Sequence, residues 1–392
     1  MKLDVFDVKW YADWRFWLLF IAINISGNPG FSVLFPYHAT LIILFVGLLS
    51  YFLIQKQSLD NTFFIYILLW TCLFLFQGYY IDAYGFSSAI HVIMKVTIGL
   101  LTLLVVNYKF TKYYSNIIYF FCIVSLICFT YNHIFGVLPY INLGAGMDGG
   151  AGFRVSSIIY TQLYNLNNSG LSFRNCGPFW EPGAFQGFVN LAILLELLSG
   201  NDRNKQWHLR FAVFVITVIT TYSTGGYVVL ALNLIYYIVT NQRLIWNVRV
   251  LLLSITSIIA VFLFFNIDFL HNKISGDKGR LGTSAADLFS NNILCTIFGY
   301  GFSEESFTQS NIKSASSFFN LFRYTGIIGI ALYYIPILGI KLNANRLYFL
   351  LTVFLILMNE PFITAGVFWW SIPLLFPFIY KSSYAYESDN KI

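Results

Sequence analysis

The chain has 392 residues, of which 58% are hydrophobic, 20% aromatic and only 10% charged. A water-soluble protein of this length needs more charged side chains to solvate its surface. Most of this surface must therefore face lipid. The formal net charge is +6 at pH 7, but the Lys and Arg residues fall in short clusters at the ends of apolar runs. This pattern indicates membrane topology and excludes a nucleic-acid-binding stripe.

Twelve apolar runs approach the length that crosses a hydrocarbon core, roughly 20 residues at about 1.5 Å each. They begin near Phe16, Tyr37, Thr62, Ser88, Ser115, Gly183, Leu209, Gly226, Val248, Ser316, Leu347 and Ile363. The first run is the weakest, because Gly and Pro residues at 27–30 interrupt it. We therefore predict an all-α polytopic membrane protein with about 12 transmembrane helices in one integral membrane domain, residues 1–392.

The positions of the cations predict the orientation of these spans. If alternate segments are cytoplasmic, 15 of the 23 Lys and Arg residues lie on that side, six lie on the opposite side and two lie inside helices. The four short outer connections carry no Lys or Arg. Since cytoplasmic loops are enriched in Lys and Arg, we expect an inner-membrane protein with an even number of spans and both termini in the cytoplasm.

Two outer loops, at about 136–182 and 267–315, are much longer than the other connections. Long loops on a rigid scaffold often carry function, so the site is expected there. A transporter usually holds its polar groups at the membrane midplane in broken helices, whereas an enzyme acting on a lipid-linked substrate needs them at the membrane surface. This chain concentrates them at the surface.

The first long loop ends in the sequence FRNCGPFWEPGAFQ, residues 173–186. Pro182 suits the first turn of a helix, and Glu181 before it would lie at the positive end of the helix dipole. One interpretation is a helix cap, worth about 0.3 to 1 kcal/mol. The other is a partly desolvated acid beside Trp180 that transfers a proton. Spacing alone favours the cap, and both interpretations stay open.

Arginines in the two loops are candidates for phosphate binding, because the guanidinium fork matches phosphate oxygens. Arg154 and Arg174 lie in the first loop and Arg280 in the second. For any one of them, a solvated loop charge is the simpler interpretation. Arg323 differs, because it lies about two turns inside the span that begins at Ser316, where a charge is costly unless it is paired or faces a polar cavity.

The sequence also contains a tight turn, Ser223-Thr224-Gly225-Gly226, between two spans. Its N–H groups suit an anion, although a simple turn is the simpler interpretation. There is no HExxH, phosphate-binding loop or dinucleotide fingerprint in the chain. We therefore expect neither a metal nor an organic cofactor.

The 173–186 segment resembles the signature of bacterial O-antigen polymerases of the Wzy type and of related exopolysaccharide polymerases. Three further segments agree in order: the Ser223–Gly226 turn, Arg280 followed by Phe298–Phe302, and Ser316–Asn320 leading to Gly326–Gly329. The resemblance covers the second half of the chain, and the first half is similar in hydropathy only. The related O-antigen ligases usually carry a His just before the span that begins here at Ser316, and this chain has Ser314 and Ala315 there. This difference favours the polymerase.

The resemblance implies a GT-C-like helical fold with two long periplasmic loops. It implies a glycosyltransferase of lipopolysaccharide biosynthesis that joins polyprenyl-diphosphate-linked oligosaccharide repeat units, such as those on undecaprenyl diphosphate, without a metal. Arg174 and Arg280 would neutralise the charge on the departing diphosphate, and Glu181 would deprotonate the acceptor hydroxyl. The substrate-binding residues would be Arg154, Arg323, Trp180, Ser223, Gly225 and Asn320.

The resemblance implies three partners: the lipid-linked oligosaccharide, the bilayer and a chain-length regulator protein. Two alternatives stay open. One is an O-antigen ligase that transfers the finished chain to lipid A core. The other is a flippase for the lipid-linked oligosaccharide, which should lack long outer loops and show internal repeats.

Overall fold

The computed structural model describes residues 10–55, 61–80, 86–136, 138–139, 141–145, 151–157, 159–165, 170–171, 174–199, 204–241, 245–252, 254, 293–302, 316–339 and 341–379. The chain divides into two compact units. Unit 1 consists of Met1–Pro36, Val106–Leu263 and Pro377–Ile392, and unit 2 consists of Tyr37–Val105 and Phe264–Phe376.

The structure is predominantly helical. In chain order the α-helices are α1 (Trp14–Asn24), α2 (Pro29–Leu34), α3 (Tyr37–Ile54), α4 (Asn61–Tyr80), α5 (Phe86–Val106), α6 (Phe110–Ile134), α7 (Pro182–Leu198), α8 (Lys205–Thr220), α9 (Thr224–Thr240), α10 (Ile293–Phe298), α11 (Ser317–Leu338), α12 (Ala344–Asn359) and α13 (Phe362–Ala365). Residues 246–252 are also helical. Short 3₁₀ helices span Trp10–Ala12, Asn107–Lys109 and Phe368–Leu374.

Local sequence explains where several helices begin. Asn28, Asn204, Ser223 and Asn343 each accept a hydrogen bond from a backbone N–H in the first turn of the helix that follows. A helix begins within five residues of each predicted start. The twelfth predicted run is the exception in form, because it gives the one-turn α13 and then a 3₁₀ helix, with Gly366 between them.

Within the described residues, four helical segments are long and apolar enough to cross a membrane: Tyr37–Ile54, Asn61–Tyr80, Ser87–Ile134 and Ser317–Leu338. Four shorter helices are also apolar: Trp14–Asn24, Pro182–Leu198, Thr224–Thr240 and Ala344–Asn359. On α3, Ile43 and Leu53 are more than two thirds exposed, as expected for a surface that faces lipid. The prediction of a helical membrane protein is thus confirmed, while the number of spans stays a prediction.

Helix α7 forms the centre of unit 1. Every residue from Pro182 to Leu198 is buried, and α6, α8 and α9 all pack against this helix. A helix that is apolar on nearly every face is stable only when other elements surround it. On α6, the Tyr114 hydroxyl donates to the Phe188 carbonyl at 2.9 Å, and the Phe179 ring stacks on Phe188 with 4.1 Å between centroids. The start of α7 is therefore held firmly in place.

Unit 1 also contains a small antiparallel sheet in the first long loop. Its strands are β1 (Ile141–Ala145), β2 (Ala151–Ser157), β3 (Tyr160–Asn165) and β4 (Gly170–Leu171), in the order β1-β2-β3-β4. In the register, Arg154 pairs with Gln162 on one side and with Asn142 on the other. The all-α prediction did not include these strands, because such short strands in a Gly- and Asn-rich segment give little periodic signal.

Unit 2 is organised around α11, which packs against α4, α10, α12 and α13. Large aromatic side chains fill its interior: the Trp70 and Trp370 rings meet edge to face at 5.0 Å, and the Tyr333 hydroxyl donates to the Trp369 carbonyl at 2.8 Å. Such rings bury large apolar areas, and edge-to-face pairs add about 0.5 to 1.5 kcal/mol beyond that burial.

Candidate functional site

The connection that leads into α7, residues 174–181, has no regular secondary structure but is held by side-chain hydrogen bonds. The amide of Asn175 is fully buried. Its Nδ2 donates to Ser125 Oγ on α6 at 3.2 Å and to Thr220 Oγ1 on α8 at 3.0 Å, and its Oδ1 accepts from the Gly177 N–H at 3.0 Å. One amide thus joins the connection to two helices and fixes its turn, in which Gly177 has φ +54°.

The same connection is fastened to the small sheet and to the segment between α1 and α2. The Thr161 N–H donates to the Gly177 carbonyl at 2.6 Å, and the Thr161 hydroxyl donates to the Pro178 carbonyl at 3.1 Å. The Trp180 N–H donates to the Gly27 carbonyl at 3.2 Å. Because its backbone groups are satisfied from several sides, the connection can present its remaining side chains in a fixed arrangement.

The sheet is itself anchored on α6. Asn132 Nδ2 donates to the hydroxyl of Tyr160, the first residue of β3, at 3.3 Å, and the Leu138 N–H donates to Asn132 Oδ1 at 3.1 Å. Burial raises the pKa of the Tyr160 hydroxyl, so this group stays neutral at ordinary pH. The predicted residue Arg154 lies in the middle of β2, so its backbone position is fixed relative to β3.

Arg174 binds the end of a helix. Its Nε donates to the Thr221 carbonyl and its Nη2 to the Tyr222 carbonyl, both at 3.0 Å, just after the last residue of α8. A guanidinium at a helix C-terminus satisfies carbonyls that lack partners within the helix. Among the described residues Nη1 makes no hydrogen bond. Arg174 therefore has a structural role and still offers one nitrogen to a ligand.

Glu181 occupies the N-cap position of α7, as the sequence predicts, but its carboxylate makes no capping hydrogen bond. The Glu181 backbone carbonyl accepts from the N–H groups of Ala184 and Phe185, both at 3.1 Å. Its Oε1 instead accepts from the Trp180 indole N–H at 3.1 Å. The helix begins where predicted, but the Glu181 carboxylate binds the Trp180 indole and makes no hydrogen bond to the first turn of α7.

The Trp180 ring lies close against Gly27. A Cβ at Gly27 would overlap the Trp180 ring, so this close approach needs a residue without a side chain. The Trp180 side chain is neither fully buried nor fully exposed. The indole is therefore held beside the Glu181 carboxylate by packing on Gly27 and by its own N–H.

The start of α9 meets α7 at the same end of unit 1. Ser223 caps α9 by accepting from the Gly226 N–H at 3.4 Å, and the preceding Tyr222 has φ +48°. Gly226 lies directly against the Gln186 side chain, with no room for a Cβ between them. Thus the structure brings together the Arg174 guanidinium, the predicted turn with Ser223 and Gly225, and the first turns of α7, which follow Glu181.

Below this contact lies an amide network that sequence reasoning missed. Asn190 Nδ2 donates to Gln186 Oε1 at 2.9 Å and to the Gly226 carbonyl at 3.2 Å. Asn233 Nδ2, on α9, donates to Asn190 Oδ1 at 3.1 Å. All three amide side chains are fully buried. The available signal was the spacing of two amides four residues apart in the apolar run of α7, which places them on one face.

In unit 2, the predicted residues Arg323 and Asn320 both lie in α11 and are buried, at 1% and 5% exposure. The Arg323 guanidinium lies over the Tyr324 ring, 4.2 Å from its centroid, and donates to the Tyr324 hydroxyl. Such a cation–π contact reduces the cost of burying the charge. Arg323 is thus buried against Tyr324 inside unit 2.

Helix α11 is broken just after Arg323. Gly326 has φ +62° and ψ −163°, far from helical values. The Arg323 carbonyl accepts from the Tyr300 N–H at 2.8 Å, and the Tyr324 carbonyl accepts from the Gly301 N–H at 3.1 Å and from Gln77 Nε2 at 2.6 Å. Backbone groups freed at membrane depth must find partners inside the protein. The 298–302 segment supplies them, so two of the predicted motifs form one structure.

A basic cluster joins α3 and α5 in unit 2. The rings of His38 and His91 lie 5.2 Å apart, and the Lys95 ammonium lies 5.5 Å from the Tyr37 ring centroid. This pairing depends on how α3 packs on α5. The sequence spacing within each helix therefore gave no indication of it.

The predicted residue Arg280 and most of the loop at 267–315 lie outside the described residues. The Arg154 side chain lies outside them as well. Among the residues that the structure does describe, no group of three His, Cys, Asp or Glu side chains is arranged to hold a metal ion.

The fold and the site define a helical membrane protein with a fixed polar connection at the joined first turns of α7 and α9. No protein-family model, no curated protein and no solved structure matches this chain.

Proposed function

We propose that the chain is an O-antigen polymerase of the Wzy type, a glycosyltransferase that joins polyprenyl-diphosphate-linked oligosaccharide repeat units on the periplasmic face of the bacterial inner membrane. The observation that carries the proposal is the 174–181 connection. It presents a carboxylate that does not cap its helix, an indole that orients this carboxylate, and an arginine with one open nitrogen. These are the groups that a metal-independent sugar transfer needs.

In the proposed reaction, the Glu181 carboxylate takes the proton of an acceptor sugar hydroxyl. The hydroxyl oxygen forms a bond to the anomeric carbon of the donor sugar, and the bond from this carbon to the diphosphate breaks. A single displacement of this kind inverts the anomeric configuration. Negative charge collects on the departing diphosphate, where a guanidinium nitrogen stabilises it. Arg174 Nη1 is available for this role.

The other predicted site residues have further roles in this proposal. Arg280 would add a second guanidinium at the diphosphate, and Arg154, Arg323 and Asn320 would bind other parts of the lipid-linked substrate. Trp180 would stack on a sugar ring. A chain-length regulator protein is the proposed partner that sets how many units are joined.

The test uses cells that lack this gene and make surface polysaccharide of the same type. The cells receive wild type, Glu181→Gln or Glu196→Gln at matched protein level, and the polysaccharide ladder is read on a gel. Glu181→Gln keeps an oxygen for the Trp180 indole but removes the base, so we expect at least a hundredfold loss of long chains. Glu196 lies near the other end of α7, paired with Arg210 at 3.1 Å, so Glu196→Gln is the matched control and should restore the ladder.

The pattern in the cells without the gene separates the alternatives. Lipid A core with a single repeat unit supports the polymerase. Bare core together with long lipid-linked chains would instead identify a ligase. A ladder that survives Glu181→Gln at matched expression would rule out Glu181 as the base.

A flippase is the second candidate, and one observation favours it. Helix α11 is broken at Gly326 beside the buried Arg323, and broken helices with buried polar groups are typical of transporter sites. If the chain moves the lipid-linked unit, cells without it accumulate single units on the cytoplasmic face and add none to the core. Labelling these units from outside in spheroplasts would distinguish the two candidates.

A further inference from the structure

The three buried amides of unit 1 form a hydrogen-bond chain with a direction. Asn233 donates to Asn190 Oδ1, and Asn190 in turn donates to Gln186 Oε1. Asn190 also donates to the Gly226 carbonyl, which fixes which atom of its amide is the nitrogen. Each amide therefore sets the orientation of the next, and the chain ends at the Gln186 amide with its oxygen already used as an acceptor.

The last donor of this hydrogen-bond chain, Gln186 Nε2, has no acceptor among the described residues. Gln186 is fully buried, and its Nε2 has no hydrogen-bond partner in the described part of the chain. A buried N–H without an acceptor is costly, and native structures rarely leave one unfilled unless a ligand or a water completes it. Rotating the amide would not help, because it would place the nitrogen against the donor of Asn190.

This donor lies where two helices begin. The Gln186 side chain touches Gly226 in the first turn of α9, and Gly183 lies one turn before it on α7. At the start of α9, the Ser223 hydroxyl accepts from the Gly226 N–H. The N–H groups of Thr224 and Gly225, in the same first turn, have no acceptor within the helix. The unpaired Gln186 N–H group thus lies near a glycine and the N–H groups at the start of α9, surroundings that suit an oxygen acceptor.

We propose that Gln186 is a substrate-binding residue whose Nε2 donates to a hydroxyl or ring oxygen of the bound saccharide, between the first turns of α7 and α9. The assignment rests on the proposed saccharide-transfer function. A saccharide oxygen fits better than a phosphate, because the donor is a neutral amide and the helix that carries it begins at the Glu181 carboxylate. The Asn233–Asn190 pair then acts by holding the Gln186 amide in its binding orientation.

The main variant is Gln186→Met, which keeps the length of the side chain and removes the donor. Its fold should be retained, because Asn190 Nδ2 keeps the Gly226 carbonyl as its acceptor. Gln186→Glu is a second variant, which keeps an oxygen for Asn190 and turns the donor into an acceptor. Gln55→Met, at an exposed position after α3, is the matched control.

The measurement is the thermal shift of the purified full chain in nanodiscs. The probes are the soluble repeat-unit oligosaccharide, released by mild acid from lipid-linked units, and inorganic diphosphate. We expect the oligosaccharide to stabilise wild type and Gln55→Met, and its apparent Kd to rise about tenfold in Gln186→Met and Gln186→Glu. The shift with diphosphate should be equal in all four proteins.

Three outcomes would overturn the assignment. Oligosaccharide affinities within twofold of wild type in Gln186→Met would mean that a structural water fills the position. A loss of the diphosphate shift would mean that the donor binds an anion. No shift of wild type with the oligosaccharide would remove the site.

Chain elongation, measured in the same nanodiscs with intact lipid-linked units, tests the proposed function separately. Binding that depends on Gln186 without any elongation would support the saccharide site and reject the polymerase. Elongation that Gln186→Met leaves unchanged, in rate and in KM, would reject the site and keep the polymerase.

Discussion

Two of the buried places where the described backbone leaves regular helix are held in opposite ways. In unit 1, the 174–181 connection is held mainly by side chains, above all by the amide of Asn175 and the hydroxyl of Thr161. In unit 2, the break in α11 is held mainly by backbone, since the N–H groups of Tyr300 and Gly301 bind carbonyls before the break.

The 174–181 connection and the break in α11 need different residue types, because one is held by side chains and the other by backbone. Backbone can bind backbone only when the two segments approach closely, and a Cβ at Gly299 or Gly326 would overlap the main chain of the partner segment. Side-chain hydrogen bonds can also join segments whose main chains do not touch, as Asn175 joins the connection in unit 1 to Ser125 on α6. A connection held by side-chain hydrogen bonds can therefore present functional side chains. A helix break held by backbone hydrogen bonds is better suited to fixing the direction of the helix.

The largest expected effect is that of Gly326→Ala. Gly326 combines φ +62° with ψ −163°, a conformation that other residues hardly adopt, and a Cβ there would strike the Ile297 carbonyl. We expect a loss of roughly 3 to 5 kcal/mol in the free energy of unfolding, measured by denaturant titration in detergent. Gly47→Ala is the control, because nothing lies within 4 Å of a Cβ at that helical position. Its change should be within about 1 kcal/mol, and similar losses in both variants would refute the role of the break.

Asn175→Ala tests the side-chain fastening. The substitution removes the hydrogen bonds to Ser125 and Thr220 and leaves the buried Gly177 N–H without its acceptor. We expect the free energy of unfolding to fall by about 2 to 4 kcal/mol. The control is Asn132→Ala at the same end of unit 1, where the amide is less buried and the loss should be about 1 kcal/mol. Equal losses would show that the connection does not depend on Asn175.

The helices could be predicted because their signals are local. A long apolar run ended by charge, Pro or Gly is enough to find α3 or α4, and the Glu-Pro pair at 181–182 is enough to place the start of α7. The contacts that make the site were not local. The Arg174 fork binds carbonyls 47 and 48 residues away, and no spacing within the 173–186 motif indicates that acceptor.

The break in α11 was also hidden from the sequence. One glycine inside an apolar run is usually tolerated in a helix, so Gly326 gave no reason to expect a break. What decides the outcome is the segment at 298–302, which offers N–H groups to the freed carbonyls. Likewise, the chain from Asn233 to Gln186 exists only because α9 packs against α7. In each case a partner distant in sequence decides the local structure.

The smallest expected effect comes from a third kind of fastening in unit 1, an ionic one. Asp13, just before α1, accepts from Arg15 at 2.8 Å, Lys109 at 3.0 Å and Tyr113 at 2.6 Å. Burial alone would raise the pKa of Asp13, but the hydrogen bonds from Arg15, Tyr113 and Lys109 outweigh it and hold the pKa well below its ordinary value.

A lowered folded-state pKa means that Asp13 stabilises the fold above its unfolded pKa of about 3.9, and that this contribution is lost as the pH falls further towards the folded value. Asp13→Asn should therefore lower the free energy of unfolding by about 1 kcal/mol at pH 7, since the two cations are partly exposed and screened by solvent. The difference between variant and wild type should shrink when the same titration is repeated between pH 4 and pH 3. A difference that stays constant over this range would mean that Asp13 does not stabilise the fold through its charge. In that case the comparison would be between the side-chain hydrogen bonds of the 174–181 connection and the backbone hydrogen bonds at the break in α11.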